Sequence, residues 1–252
     1  MQHAHRLVLQ PAARLRRSRQ PTGPAAGAAP RLWLFDLDNT LHDTSYAIFP
    51  RIDQGMTHAV ADTLGVSMEE ANVLRRKYWK RYGATVIGLV RHHGVDAGTF
   101  LRLSHDFDVE PLIRAERGLP ATLGALPGRK VLLTNAPLHY AKAVLRHLGL
   151  LRHFDSLWGI EEMRMHGEYR PKPSIAMLQY VLAREGVPAS QAVLVEDTLP
   201  NLRAARRAGL RTVHVYHPGT PFSKGDYHRP AYVDLKVNSL RDLLLRRRPL
   251  RG

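Results

Sequence analysis

The chain contains no cysteine among its 252 residues. Disulfide bonds and thiolate metal sites are therefore excluded, and nothing in the composition indicates an oxidising compartment. The sequence also lacks any apolar run near the ~18 residues that a membrane-spanning helix needs. These two absences predict a soluble, cytoplasmic protein without a membrane partner.

Acidic residues are scarce: 22 aspartates and glutamates face 37 lysines and arginines, a net charge of +15. Residues 1–30 contain five arginines and no acid, and residues 241–252 contain five arginines and one aspartate. We interpret residues 1–30 as a disordered basic tail, resembling a transit peptide or an extended start, and residues 246–252 as a basic C-terminal tail. No aromatic residue interleaves with these arginines, as single-strand binding would require, so we expect no nucleic-acid partner. A nucleic-acid-binding module on an enzyme scaffold stays open as the alternative of another class.

Short apolar runs separated by helical patterns predict an α/β fold. The runs at residues 32–35, 131–133, 192–195 and 212–215 have the length of buried strands, and residues 154–158 and 232–237 could add two more. Apolar residues at helical spacing lie between the later runs, at 137–148, 174–184 and 199–208. Strands that alternate with helices predict a parallel sheet covered on both faces.

One segment interrupts this alternation. From residue 46 to about 114 the sequence shows helical periodicity and almost no strand pattern, with candidate packing faces that include Val73, Tyr78 and Trp79. We therefore predict a helical cap over residues 45–114, inserted into a catalytic core formed by residues 31–44 and 115–245.

Polar side chains follow the predicted strands, where an α/β sheet binds its ligands. One further polar residue, Lys172, is held between two prolines. The candidate site residues are Asp36, Asp38, Asn39, Thr134, Asn135, Lys172, Glu196 and Asp197. Two carboxylates two residues apart repel each other unless a cation lies between them. Asn39 turns the chain and offers its backbone N–H to an anion. Each motif alone has a plainer explanation: a polar turn, a helix N-cap or a solvated lysine.

The order Asp-Leu-Asp-Asn-Thr, Thr-Asn, Lys-Pro and Glu-Asp-Thr resembles the four motifs of the haloacid dehalogenase superfamily of phosphatases, over residues 32–245. The resemblance implies a doubly wound, Rossmann-like parallel sheet, and the helical insert is similar to the first cap class of that superfamily. It also implies hydrolysis of phosphate monoesters through an aspartyl-phosphate.

By this resemblance, Asp36 is the nucleophile and Asp38 is first the general acid and then the general base. Thr134 and Asn135 bind the transferring phosphoryl group, and Lys172 neutralises its charge. The implied cofactor is Mg²⁺. Its ligands would be Asp36, the backbone carbonyl of Asp38, Asp197 and, through a water, Glu196.

The cap stretch Tyr-Gly-Ala-Thr-Val-Ile-Gly-Leu, at residues 82–89, resembles the pyrimidine 5′-nucleotidases. This resemblance implies nucleoside monophosphates such as UMP and CMP as substrates, with Tyr82 and Thr85 lining the pocket. A phosphatase for phosphoglycolate or a sugar phosphate is the alternative within the enzyme class. His42 departs from the pattern, because related enzymes often carry tyrosine at its position.

Overall fold

The computed structural model describes residues 30–217 and 229–245. The two predicted tails lie outside these residues, apart from Pro30. Within the described ranges no helix combines the length and apolar character needed to cross a membrane.

The described strands are β1 (Leu32–Phe35), β2 (Arg129–Leu133), β3 (Ser156–Trp158), β4 (Arg164–Met165), β5 (Glu168–Tyr169), β6 (Ala192–Glu196), β7 (Arg211–Val215) and β8 (Leu235–Val237). The described α-helices are α1 (Ile48–Leu64), α2 (Met68–Tyr82), α3 (Thr85–His93), α4 (Ala97–Ser104), α5 (Leu119–Ala125), α6 (Leu138–His147), α7 (Ile175–Glu185), α8 (Leu199–Arg207) and α9 (Asp242–Leu245).

Six strands form one parallel sheet in the order β3-β2-β1-β6-β7-β8. Along the chain this is the 3-2-1-4-5-6 order of a doubly wound Rossmann-like sheet, so the predicted fold class is confirmed. The order reverses at β1, which pairs with β2 on one side and β6 on the other. Ligands bind at such a reversal, beyond the carboxyl ends of the strands.

Alternate side chains of β1 pack into two different apolar cores, one on each face of the sheet. Trp33 and Phe35 belong to one apolar core, which includes residues of α5 and α6, whereas Leu32 and Leu34 belong to a second core with residues of α7 and α8. Successive side chains of a strand point to opposite faces, so a strand buried on both faces needs apolar residues throughout.

Residues 45–114 contain α1 to α4 and have an apolar core of their own, joined by Ile160. Ser67 starts α2 as its N-cap, because its hydroxyl accepts a hydrogen bond from the Glu70 N–H and its own N–H donates one to the Glu70 carboxylate. Tyr78 is buried as expected. The predicted packing of Val73 and Trp79 was wrong, since their exposed fractions are 54% and 56%.

The chain leaves and re-enters the sheet domain side by side. The Asp43 N–H donates a 2.7 Å hydrogen bond to the Arg114 carbonyl, and the Arg114 guanidinium lies 3.2 Å from the centroid of the Tyr46 ring. These contacts join the two linkers where the sequence places the ends of the cap. The division into cap and core at residues 45 and 114 stays a prediction.

A short hairpin, β4–β5, was not predicted from the sequence. His166 and Gly167 form its two-residue loop, both with positive φ, at 51° and 83°. This conformation matches the twist of two antiparallel strands, and glycine adopts it without strain.

Candidate active site

The reversal of the sheet brings together residues that are far apart in the sequence. Asp36 follows β1 and is fixed by its N–H, which donates to the Val195 carbonyl at 3.0 Å. Thr134 follows β2, and Glu196 is the last residue of β6. All three line one cleft between the sheet and the helices of residues 45–114.

Lys172 joins two of the carboxylates. Its Nζ lies 2.8 Å from Asp36 Oδ1 and 2.7 Å from Glu196 Oε2. Burial alone would lower the pKa of Lys172, but the two carboxylates outweigh burial and raise that pKa, so the ammonium stays charged. A buried cation between two anions also limits the flexibility of all three side chains.

A cluster of acids lies beside this lysine. One carboxylate oxygen from each of Asp36, Glu196 and Asp197 lies within 4.8 Å of the others. Burial and then the charge of Glu196 raise the pKa of Asp36, and burial raises the pKa of Glu196. Burial and then the charge of Asp36 raise the pKa of Asp197 to about 6. The cluster therefore carries more negative charge than Lys172 balances, and its all-oxygen donor set fits a hard divalent cation such as Mg²⁺.

Asp38 is held by three donors on one oxygen. The Tyr140 hydroxyl, the Thr44 hydroxyl and His42 Nε2 reach Asp38 Oδ1 at 2.8, 2.9 and 3.1 Å. Burial would raise the pKa of Asp38, but these hydrogen bonds and the charge of His42 lower it. Burial and the charge of Asp38 raise the pKa of Tyr140, so its hydroxyl keeps its proton and donates. The predicted metal bond from the Asp38 carbonyl stays a prediction.

The predicted phosphate ligands divide into two groups. Thr134 lines the cleft, and its Oγ1 accepts from the Ala136 N–H at 3.1 Å, which leaves its proton for an anion. The side chains of Asn135, which also lines the cleft, and of Asn39 hold neighbouring segments, and phosphate binding by these two residues stays a prediction. The Asn135 amide exchanges two 3.0 Å hydrogen bonds with the backbone of Lys172 and so places that lysine.

Asn39 is almost completely buried with a positive φ of 54°. Its Oδ1 accepts from the Thr44 N–H, the Ser45 N–H and the Ser45 hydroxyl at 3.0 to 3.1 Å. The side chain therefore fixes the loop that carries Thr44 towards Asp38, and the expectation that the Asn39 backbone N–H faces the substrate anion stays a prediction.

The cleft has a volume of about 520 Å³. Most of its cap-side lining is apolar or aromatic: Phe49, Ile52, Met56, Trp79, Ala84, Val86, Phe100 and Leu101. Thr85 also lines it, but its hydroxyl donates to the Arg75 carbonyl at 3.2 Å. Tyr82 is not among the residues that line this cleft: its hydroxyl lies 2.6 Å from exposed His92 Nε2, on the face where α2 packs on α3, and its predicted substrate contact stays a prediction. Trp79 and Lys80 reach the cleft instead.

Comparison with known proteins agrees with this arrangement. The sequence profile of haloacid dehalogenase-like hydrolases matches residues 30–209. The chain belongs to the haloacid dehalogenase-like hydrolases. A phosphoglycolate phosphatase of Pseudomonas syringae is 30% identical over 241 residues, which cover 87% of this chain and 80% of the relative. A 5′-nucleotidase of Pseudomonas aeruginosa is 28% identical over 227 residues, 84% of this chain and 94% of the relative.

A solved phosphatase of this superfamily from Thermococcus onnurineus matches the fold with a TM-score of 0.58 at 21% identity, over 87% of this chain and 99% of that one. This similarity supports the fold of a haloacid dehalogenase-like hydrolase, a parallel sheet flanked by helices.

Several side chains that surround the site of this hydrolase were not predicted from the sequence. Tyr140 lies in the first turn of α6, directly after the Thr-Asn motif, and that position was the one available signal. Trp79 was assigned to a packing face because an aromatic residue at helical spacing is typical of a core. Its exposure depends on where α2 meets the sheet domain, and periodicity does not report this.

Proposed function

We propose that this hydrolase is a Mg²⁺-dependent phosphomonoesterase that acts through a phosphorylated Asp36. The observation that carries the proposal is the buried Asp36–Lys172–Glu196 arrangement beside Asp197, at the carboxyl edge of the sheet. A structural ion pair would not need a third acid beside it, whereas a phosphoryl-transfer site needs both the nucleophile and a cation site.

In the proposed reaction, Asp36 attacks phosphorus and the bond from phosphorus to the ester oxygen breaks. Asp38 gives its proton to the departing oxygen, and then takes a proton from the water that attacks the aspartyl-phosphate and frees Asp36. Thr134 and Lys172 stabilise the phosphoryl oxygens throughout. Mg²⁺, held by Asp36 and Asp197 with Glu196 nearby, would neutralise charge on the phosphate.

For the substrate we propose a pyrimidine nucleoside monophosphate. A cleft of about 520 Å³ with Trp79, Phe49 and Phe100 in its lining is suited to a flat, partly apolar body attached to the phosphate. Phosphoglycolate is smaller, and its carboxylate requires a cation away from the phosphate. The second candidate, a phosphoglycolate phosphatase, is favoured by the name that six relatives carry and by Lys80, which lines the cleft and offers a cation for that carboxylate.

A phosphate-release screen distinguishes the two candidates. We expect kcat/KM for UMP and CMP to exceed that for phosphoglycolate and sugar phosphates by at least about tenfold, because burial of the base adds roughly 1–3 kcal/mol. Phosphate release is measured with one enzyme preparation and excess Mg²⁺. A preference for phosphoglycolate would contradict the nucleotide assignment, and no release from any monoester would contradict the phosphatase.

The substitution Trp79→Ala tests the proposed contact with the base. We expect KM for UMP to rise roughly tenfold, since loss of one stacking ring removes about 1–3 kcal/mol, while kcat/KM for p-nitrophenyl phosphate changes less than about twofold. Trp79→Phe keeps a ring and should retain most of the affinity. Val73→Ala, also on α2 and exposed but outside the cleft, is the matched control. An unchanged KM for UMP in Trp79→Ala would place the base elsewhere.

A further inference from the structure

We propose that Tyr140 is a positioning residue that orients Asp38, so that only Asp38 Oδ2 is offered to the leaving group. This inference rests on the proposed phosphatase activity and adds a residue on which that activity would depend. The hydrogen bond between Tyr140 and Asp38 joins residues that are 102 positions apart in the sequence.

The hydrogen bonds to Asp38 Oδ1 are the first observation that supports this proposal. Asp38 Oδ1 receives hydrogen bonds from Tyr140, Thr44 and His42. A carboxylate oxygen offers two lone-pair sites, so three donors leave no place for a proton on Oδ1. Among the described residues no side chain or N–H donates to Oδ2. Oδ2 is therefore the oxygen of Asp38 that is free to take up and transfer a proton, and the Asp38 side chain, which is 20% exposed, lines the cleft.

The packing of Tyr140 is the second observation that supports the proposal. Tyr140 is 3% exposed, and its ring centroid lies 6.4 Å from that of His42, 5.4 Å from that of His105 and 6.5 Å from that of Phe107. The ring cannot rotate away from Asp38 without displacing these neighbours. A hydroxyl on a ring fixed in this way holds the carboxylate torsion together with Thr44, whose loop is fixed by Asn39.

The third step concerns which reactions would depend on this orientation. A ribose or glycolate oxygen leaves as a strongly basic alkoxide and needs the proton of Asp38, whereas p-nitrophenolate is a weak base and leaves without one. Because kcat/KM reports the steps up to phosphorylation of Asp36, it separates these two cases within one enzyme.

The test is the substitution Tyr140→Phe, which keeps the ring and its packing. We expect kcat/KM for UMP to fall roughly tenfold, the effect of losing a hydrogen bond to a charged group, while kcat/KM for p-nitrophenyl phosphate stays within about twofold. Tyr180→Phe is the matched control, because Tyr180 packs on Trp158 away from Asp38 and should leave both values unchanged. Thermal unfolding of both variants checks that they fold.

Three outcomes would contradict the inference. Unchanged kcat/KM for UMP in Tyr140→Phe would show that Tyr140 does not orient Asp38, and equal losses for both esters would indicate general damage to the site. If the parent enzyme prefers phosphoglycolate, that ester replaces UMP and the comparison stands. A folded parent enzyme that releases phosphate from no monoester, including p-nitrophenyl phosphate, overturns the proposed function itself, and the inference with it.

Discussion

The substitution Asp36→Asn is expected to lower kcat for phosphate release by at least about 10⁴-fold while the protein stays folded. An amide is not a nucleophile towards phosphorus, so no aspartyl-phosphate can form. The fold should persist because Lys172 keeps its 2.7 Å partner Glu196. Loss of the Asp36 charge also removes the repulsion that contributes to the raised pKa of Asp197.

Phosphate release and thermal unfolding are measured together for this variant. The matched control is Asp62→Asn, the same chemical change on an exposed position of α1, which should leave both quantities unchanged. Incubation with labelled substrate followed by acid quenching should trap label on the parent enzyme and on the control variant, and none on Asp36→Asn. Turnover within about tenfold of the parent would show that another group is the nucleophile.

The sheet could be predicted from the sequence because its strands are buried on both faces. The continuous apolar run of β1 is what such a strand requires, and the predicted run coincides with Leu32–Phe35. The β4–β5 hairpin escaped prediction because its strands have two residues each, too few for alternation to be visible. Its only local signal, Gly167 after His166, is common to many turns.

The charged centre of the site was predictable for a related reason. Asp36, Thr134 and Glu196 lie directly after or at the end of strands, and parallel strands bring their carboxyl ends to one edge. The support around that centre was not predictable. Asn135 was interpreted as a phosphate ligand, yet its amide meets the backbone of Lys172, a contact between two loops that are 37 positions apart.

The cap-side residues show the limit of periodicity most clearly. Tyr82 and Trp79 lie three positions apart on α2, and both suit a core or a cleft by residue type. Tyr82 packs against Tyr78 and His92, whereas Trp79 lines the cleft. Which of the two residues lines the cleft depends on how the four cap helices pack against the sheet domain, and this is a property of tertiary packing.

Removal of divalent cations with EDTA is expected to abolish turnover and to make stability fall as the pH rises. Without a cation, burial and the charge of Asp36 raise the pKa of Asp197 to about 6, whereas an unfolded aspartate has a pKa near 3.9. A group with a raised folded-state pKa stabilises the fold fully below its unfolded pKa, and this contribution is lost as the pH rises through the folded value.

For Asp197, the free energy of unfolding without a cation therefore falls by about 3 kcal/mol between about pH 4 and pH 6. The pKa values of Asp36 and Glu196 are raised too, so their contributions have the same sign. Bound Mg²⁺ favours the ionised acids and should reverse the loss. We expect Mg²⁺ to raise the Tm by roughly 6–12 °C at about pH 7.5, and by much less at about pH 4.5.

The Tm is measured in EDTA and in Mg²⁺ at both pH values, for the parent, for Asp197→Asn and for Asp62→Asn. Asp197→Asn should lose most of the gain at the higher pH, because it removes both a ligand and a repelling charge, and the exposed control should keep it. An equal Tm in EDTA and Mg²⁺ at about pH 7.5 would contradict cation binding by the acid cluster. If turnover still required Mg²⁺ in that case, the metal would have to arrive with the phosphate ester rather than reside on Asp36, Glu196 and Asp197.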